Sequence, residues 1–227
     1  MTLWSTHMAS RPNIAIAYHS GSGHTTVLAE AVHWGVLDEG GKPDLIRVDT
    51  ITAAQWACLD TADAIVFGAP TYMGTASAAF HTFAQATAGR WSARAWRNKL
   101  AAGFTIAGAM SGDKLQTLQY FTILASQHGM HWVSLDLLPG WCTTGGSVTD
   151  LNRLGITLGV GAQANTDEGP EGVPAADLQT ARYLGRRITE TARSFTVGPP
   201  RPPARLGRAP DRIRELPRRA SALAKES

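Results

Sequence analysis

The run Asn13-Ile-Ala-Ile-Ala-Tyr18 alternates apolar residues and stops abruptly in Ser20-Gly-Ser-Gly-His-Thr-Thr26. The alternation predicts a buried strand. Beyond the small residues and hydroxyls, apolar positions recur at helical spacing: Val27, Leu28, Ala31, Val32 and Val36. A strand, a glycine-hydroxyl loop and a helix start confine the chain to the α/β class. They also create an anion site, because the first amides of a helix are unpaired and its dipole is positive there.

Three readings compete for this loop. A Walker-type loop needs a lysine just before the threonine pair to meet polyphosphate charge, and His24 stands there. A dinucleotide turn needs a third glycine where Thr26 stands, although an acidic residue does end the second apolar segment, Asp49 in Leu45-Ile-Arg-Val-Asp49. A loop that wraps one terminal phosphate with hydroxyls and bare amides, without a cation, suits Ser20, Ser22, Thr25 and Thr26 best. A tight turn with no ligand is the remaining alternative.

At 227 residues with 44% hydrophobic content the chain can bury one sizeable core. Its formal charge of +3 is misleading, because residues 199–227 carry eight Arg or Lys against three Asp or Glu, leaving −2 for the rest. A nearly neutral body argues against a broad nucleic-acid surface. Cys58 and Cys142 form no CxxC motif and no disulfide framework, which fits a reducing, cytoplasmic compartment. No apolar run is long enough to span a membrane. Residues 1–11 read as a flexible N-terminal extension rather than a secretion signal.

Strand and helix alternate through the body. Strands are predicted at 13–18, 44–48, 64–68, 100–106 and 131–138, with helices at 25–39, 53–59, 77–87, 114–129 and 175–194 and a long loop from Pro139 to Pro174. This order implies a parallel sheet covered on both faces. One domain is expected over 12–197, followed by a Pro- and Arg-rich tail over 198–227 that reads as disordered.

In an open parallel sheet, ligands bind beyond the carboxyl ends of the strands where strand order reverses. The loops after strands one, three and four meet there. Pro70-Thr71-Tyr72-Met73-Gly74 combines a rigid proline, an aromatic and a glycine, suited to lie beside a flat ring. Ala107-Gly108-Ala109-Met110-Ser111-Gly112 is small enough for backbone to approach a planar ligand. A phosphate loop beside two ring-facing loops specifies FMN.

These residues resemble the flavodoxin-like NADPH-dependent FMN reductases, and among them the WrbA-type NAD(P)H:quinone oxidoreductases. The resemblance is carried by Ser20-Gly-Ser-Gly-His-Thr25, Phe67-Gly-Ala-Pro-Thr-Tyr-Met-Gly74, Lys99-Leu-Ala101 and Gln127-His-Gly-Met130. Gly161-Ala162, Asp167-Glu-Gly-Pro170 and Ala181-Arg-Tyr-Leu-Gly-Arg186 extend it over residues 12–195. It implies a flavodoxin-like doubly wound sheet of five parallel strands in the order 2-1-3-4-5, with helices on both faces. It also implies FMN as cofactor, NAD(P)H as electron donor, a quinone as acceptor, and a homodimer or homotetramer with the site shared between subunits.

Carried over, Ser20, Gly21, Ser22, Gly23, His24 and Thr25 hold the phosphate, while Thr71, Tyr72 and Met73 face the isoalloxazine. Residues 107–112 line the ring's far edge, His128 lies near the flavin, and Trp91 lies near the substrate. Two departures stand out. Ser22 occupies a place where the family usually carries an aromatic, and Met110-Ser111 and Asp113-Lys114 replace a glycine run and Gln-Glu. The bland readings are an exposed loop residue for His24, a helix-end residue for His128 and a packing aromatic for Trp91. The histidines show no metal-ligand spacing, so no metal site is expected. The rival function is a flavodoxin-like electron carrier or regulatory FMN-binding module without NAD(P)H turnover.

Overall fold

The computed structural model describes residues 11–195. The expected tail at 198–227, and the N-terminal extension apart from Arg11, lie outside the described residues. Strand β1 (Asn13–Tyr18) leads to helix α1 (His24–Asp38), then β2 (Lys42–Arg47) and α2 (Ala53–Thr61). Strand β3 (Ala64–Tyr72) turns back into the short β4 (Thr75–Ala76), followed by α3 (Ala78–Ala86) and α4 (Ala88–Ser92). Strand β5 (Leu100–Ala107), helix α5 (Lys114–Gln127), the short strands β6 (His131–Trp132) and β7 (Val160–Gln163), and helix α6 (Ala175–Ser194) complete the described chain.

Local chemistry sets several of these boundaries. Helix α1 ends in a Schellman pair, Gly41 N–H to Val36 O and Gly40 N–H to Leu37 O, both 2.9 Å. Helix α2 opens in a capping box between Thr52 and Gln55.

The parallel strands lie in the order β2-β1-β3-β5-β6, the flavodoxin-like order expected from the sequence. Ile16 pairs with Val66 and Val66 with Ala102, so one residue parity faces each side of the sheet. Ile14, Ile16, Val66 and Phe104 pack with Leu28, Val32, Leu184 and Ile188 from α1 and α6. Ala15, Ile65, Phe67 and Ala101 pack with Leu59, Phe80, Phe83 and Phe121 from α2, α3 and α5. Both layers therefore hold apolar cores, which fixes the sheet's loops at one rim.

The fifth position in the sheet departs from expectation. Strand 131–138 was expected to be continuous, but only His131 and Trp132 pair as a strand with Leu100 and Ala101. Beyond them Leu135 N–H turns to Thr157 O at 3.0 Å. Residues Val160–Gln163, expected inside a long loop, take over the pairing with Phe104–Ala107. The exchange requires backbone to meet backbone: a Cβ on Gly159 would lie 2.4 Å from Gly103 O. The expected helix 77–87 also continues beyond Thr87 as the separate α4.

Candidate functional site

Ser20 organises the first loop. Its buried Oγ accepts from Gly23 N–H at 3.1 Å and Thr26 N–H at 3.3 Å, pulling the chain into a tight curl before α1. Arg47 steadies the outside of this curl by donating to Ser20 O at 3.2 Å, and is itself held by Asp49 at 2.7 Å. Asp49 is thus committed to Arg47. The Arg47 guanidinium holds the Asp49 carboxyl below its ordinary range.

After those bonds are made, the amides of Gly21, Ser22, His24 and Thr25 have no acceptor among the described residues. Thr25 is only 1% exposed, lines a cavity, and its hydroxyl likewise has no partner among them. Buried polar groups are nearly always paired, and Thr25 is the buried member of this set, whereas the amides of Gly21 and Ser22 are open to water or a ligand. Four amides and a hydroxyl at a helix N-terminus therefore fit an anionic oxygen group.

The His24 ring is engaged outside the phosphate role suggested by the resemblance, while its amide stays free among the described residues. Its Nε2 lies 2.9 Å from Glu168 O and 3.0 Å from Gly169 O, so Nε2 donates and the ring ties the first loop to the segment after β7. Sequence reasoning missed this segment because β7 itself was missed. The signal the sequence offers there is Asp167-Glu-Gly-Pro170, a matching motif with no role attached.

The second loop is a two-residue hairpin. Met73 (φ 49°) and Gly74 (φ 83°) link β3 to β4, the geometry of a type I′ turn. The turn leaves the Met73 side chain fully in solvent and Tyr72 half exposed beside Gly21. Thr71 was expected to face a ring, but its hydroxyl is spent inside the protein. Thr105 donates to Ala69 O at 2.7 Å, so Thr71 donates to Thr105 (2.8 Å) and accepts from Thr117 (2.7 Å). This buried chain locks β3, β5 and α5 together beneath the loops.

Two cavities adjoin. One of about 440 Å³ runs from Ser22, His24 and Thr25 to Pro70, Tyr72 and Ala107. The other, of about 470 Å³, runs from Gly74 across Ala109 and Gly112 to Asn165 and Asp167. They share Thr71, Met73, Ala107, Gly108 and Thr166, so the space is continuous from the free amides to the third loop. The volumes are in the range of cofactor pockets. Ala164, Asn165, Thr166 and Asp167, unforeseen in the sequence, form one wall.

His128 and Trp91 are not brought to this space within one chain. His128 caps the C-terminus of α5, whose first turn lies at the cavity, so it stands about 20 Å away. Thr87 donates to Ala84 O, so its Oγ accepts from His128 Nε2–H at 2.9 Å. The ring lies against Trp96, 4.6 Å between centroids, and Nδ1 is buried without a partner among the described residues. Burial pushes the His128 pKa down. Trp91 lies half exposed on α4, a few residues beyond Thr87. Among the described residues no His, Cys, Asp or Glu group could hold a metal, and no helix is long and apolar enough to cross a membrane.

Comparison with known proteins agrees with this geometry. A family model described as NADPH-dependent FMN reductase matches residues 38–137. The chain is 39% identical over 176 residues to a Pseudomonas aeruginosa protein named flavodoxin FldP, covering 76% of this chain and 92% of that one. It is 30% identical over 203 residues to a Candida albicans protein named NAD(P)H quinone oxidoreductase YCP4, covering 82% and 69%. A solved structure of a flavodoxin, WrbA-like protein from Agrobacterium tumefaciens superposes with TM-score 0.64 at 37% identity, over 81% of this chain and 98% of that one.

Proposed function

Because the chain belongs to the flavodoxin-like FMN reductase family, close to its WrbA-type members, we propose that it is an FMN-dependent enzyme passing two electrons from NAD(P)H to a quinone or a similar planar acceptor. The observation that carries this reading is the continuous cavity, with unpaired amides at one end and close-approach backbone at the other. When bound, FMN supplies the hydride and electron chemistry; the protein supplies position and electrostatics.

The amides of Gly21, Ser22, His24 and Thr25, with the Thr25 hydroxyl, would hold the terminal phosphate. Ser20 would act one step back, by shaping the curl through Gly23 and Thr26. Pro70, Tyr72 and the 107–112 backbone would flank the ring, and Asn165–Asp167 would close its side. Thr71 would fix the height of the second loop through its hydroxyl chain. His128 and Trp91 would reach a ring only from a neighbouring copy of the chain, as a dimer or tetramer sharing its sites requires.

The relative named flavodoxin supports a second reading, an electron carrier without NAD(P)H turnover. Steady-state NAD(P)H oxidation with benzoquinone, on protein loaded with FMN, separates the two. Turnover supports the enzyme. Flavin binding without turnover favours the carrier, and a chain that takes up no FMN overturns both.

A further inference from the structure

Lys114, the first residue of α5, is fully buried and forms no ion pair among the described residues. Its Nζ donates to Ala109 O at 2.7 Å, Met110 O at 2.8 Å and Ser111 O at 3.3 Å. Burial of a bare ammonium is costly, and three carbonyls are the compensation. These carbonyls belong to the loop whose Ala109 and Gly112 line the ring end of the cavity.

A trans peptide is planar, with its C=O and N–H pointing in opposite directions. Gathering the carbonyls of 109, 110 and 111 on Lys114 therefore sends the N–H groups of Met110, Ser111 and Gly112 the other way. None of these amides has an acceptor among the described residues. The loop thus keeps its donors unspent with a cation behind its carbonyls; Gly112 brings one of these donors to the ring-end cavity, while Met110 and Ser111 line the neighbouring cavity beside Lys114.

We propose that Lys114 is a positioning residue for the redox chemistry of this site: it orients the donors of the 109–112 loop and places an unneutralised positive charge behind them, favouring the negatively charged reduced state of the bound ring. This rests on the FMN reading above. The neighbouring charges do not cancel it. Asp177 of α6 is taken up by Arg153 of the 133–159 segment, and Asp113 of the loop itself is exposed to water. Strand β7 offers only the backbone of Gly161 beside the lysine's aliphatic stem. Burial lowers the Lys114 pKa to about 8, with Asp177 opposing and Arg153 adding to the shift. Reduction of the ring raises the lysine's proton affinity, by about one pKa unit for a tenfold effect, so between pH of about 8 and about 9 reduction draws in a further fraction of a proton.

The test is the anaerobic midpoint potential of the FMN-loaded protein, from pH 6 to 10, for the wild-type chain and Lys114→Met. FMN fluorescence titration comes first. A wild-type chain that binds no FMN overturns the underlying reading and the proposal with it. The expected result is that Lys114→Met binds FMN with its reduction equilibrium shifted about tenfold toward the oxidised form, about 30 mV for a two-electron couple. The wild-type potential should fall more steeply with pH between about 8 and about 9 and then resume its former slope, and the variant should lack that step. A variant with FMN bound and an unchanged potential and pH slope overturns the proposal while leaving FMN binding intact. Should Lys114→Met fail to fold, a wild-type slope without that step overturns it on its own.

Discussion

Arg153 and Asp177 form a buried two-pronged ion pair, Nε to Oδ1 and Nη2 to Oδ2 both at 2.8 Å, with side chains 4% and 2% exposed. Asp177 Oδ2 also accepts from Gln163 N–H at 2.9 Å, and Gln163 Nε2 donates to Gly108 O at 2.9 Å. One carboxylate therefore joins α6, the 133–159 segment, the edge strand β7 and the third cavity loop. Removing one partner of such a pair leaves the other charged and buried, which typically costs about 3–5 kcal/mol. Asp177→Ala is expected to lose about that much in urea unfolding. The double variant Arg153→Met, Asp177→Leu should recover part of it, because no lone charge then remains, although the Gln163 amide stays unpaired.

The first loop yields a sharper comparison. Thr25 lines the cavity and its hydroxyl has no partner among the described residues, whereas Ser20 spends its oxygen on two loop amides. A hydrogen bond to a charged group is worth about 1.5–3 kcal/mol. Thr25→Val is expected to weaken FMN binding by about that amount with stability nearly unchanged. Ser20→Ala should weaken both, since Gly23 and Thr26 lose their acceptor. Parallel FMN titration and thermal unfolding of the two variants check the assignment; equal losses of stability would contradict it.

What could be seen in the sequence was what is local. The strand, the loop at 20–26 and helix α1 follow from residues within one turn of each other, whereas the strand order followed from the family resemblance. The site's side wall was hidden because Val160-Gly-Ala-Gln163 is short and carries no alternation; its pairing depends on Gly159 meeting Gly103, residues far apart in the chain. The same distance concealed His24, whose partners Glu168 and Gly169 lie on that unread segment. Thr71 was placed at the right spot, but that its hydroxyl points down to Thr105 and Thr117 depends on packing between β3, β5 and α5. Lys114 stands in the sequence as a departure from the resembling family; only its buried geometry gives it a role.

His128 makes stability depend on pH. Burial lowers its folded-state pKa below the ordinary 6.5, and His19 is lowered by burial too, with Asp49 opposing. As pH falls below about 6.5, the unfolded chain takes up protons that the folded chain does not. The histidine contribution to stability is therefore full above that value and declines beneath it. His128→Gln can still donate to Thr87 but cannot titrate. It is expected to flatten the decline in urea-derived stability between pH 6.5 and 5. A decline as steep as wild type would assign the effect to other groups.

Trp91 offers the most exacting test, because its own chain places it at the rim of the sheet opposite the cavity. Half exposed on α4, it can meet a ring only if a second copy brings its cavity to this rim. A stacked aromatic pair contributes about 0.5–1.5 kcal/mol beyond burial. Trp91→Ala is therefore expected to raise the quinone KM several-fold, leave FMN affinity nearly unchanged, and give the same oligomeric state as wild type by light scattering. Thr87, which grips His128 next to α4, should hold the local backbone in place without the indole. Normal quinone kinetics per bound flavin, together with dissociation to monomers, would make Trp91 an assembly residue and remove it from the site.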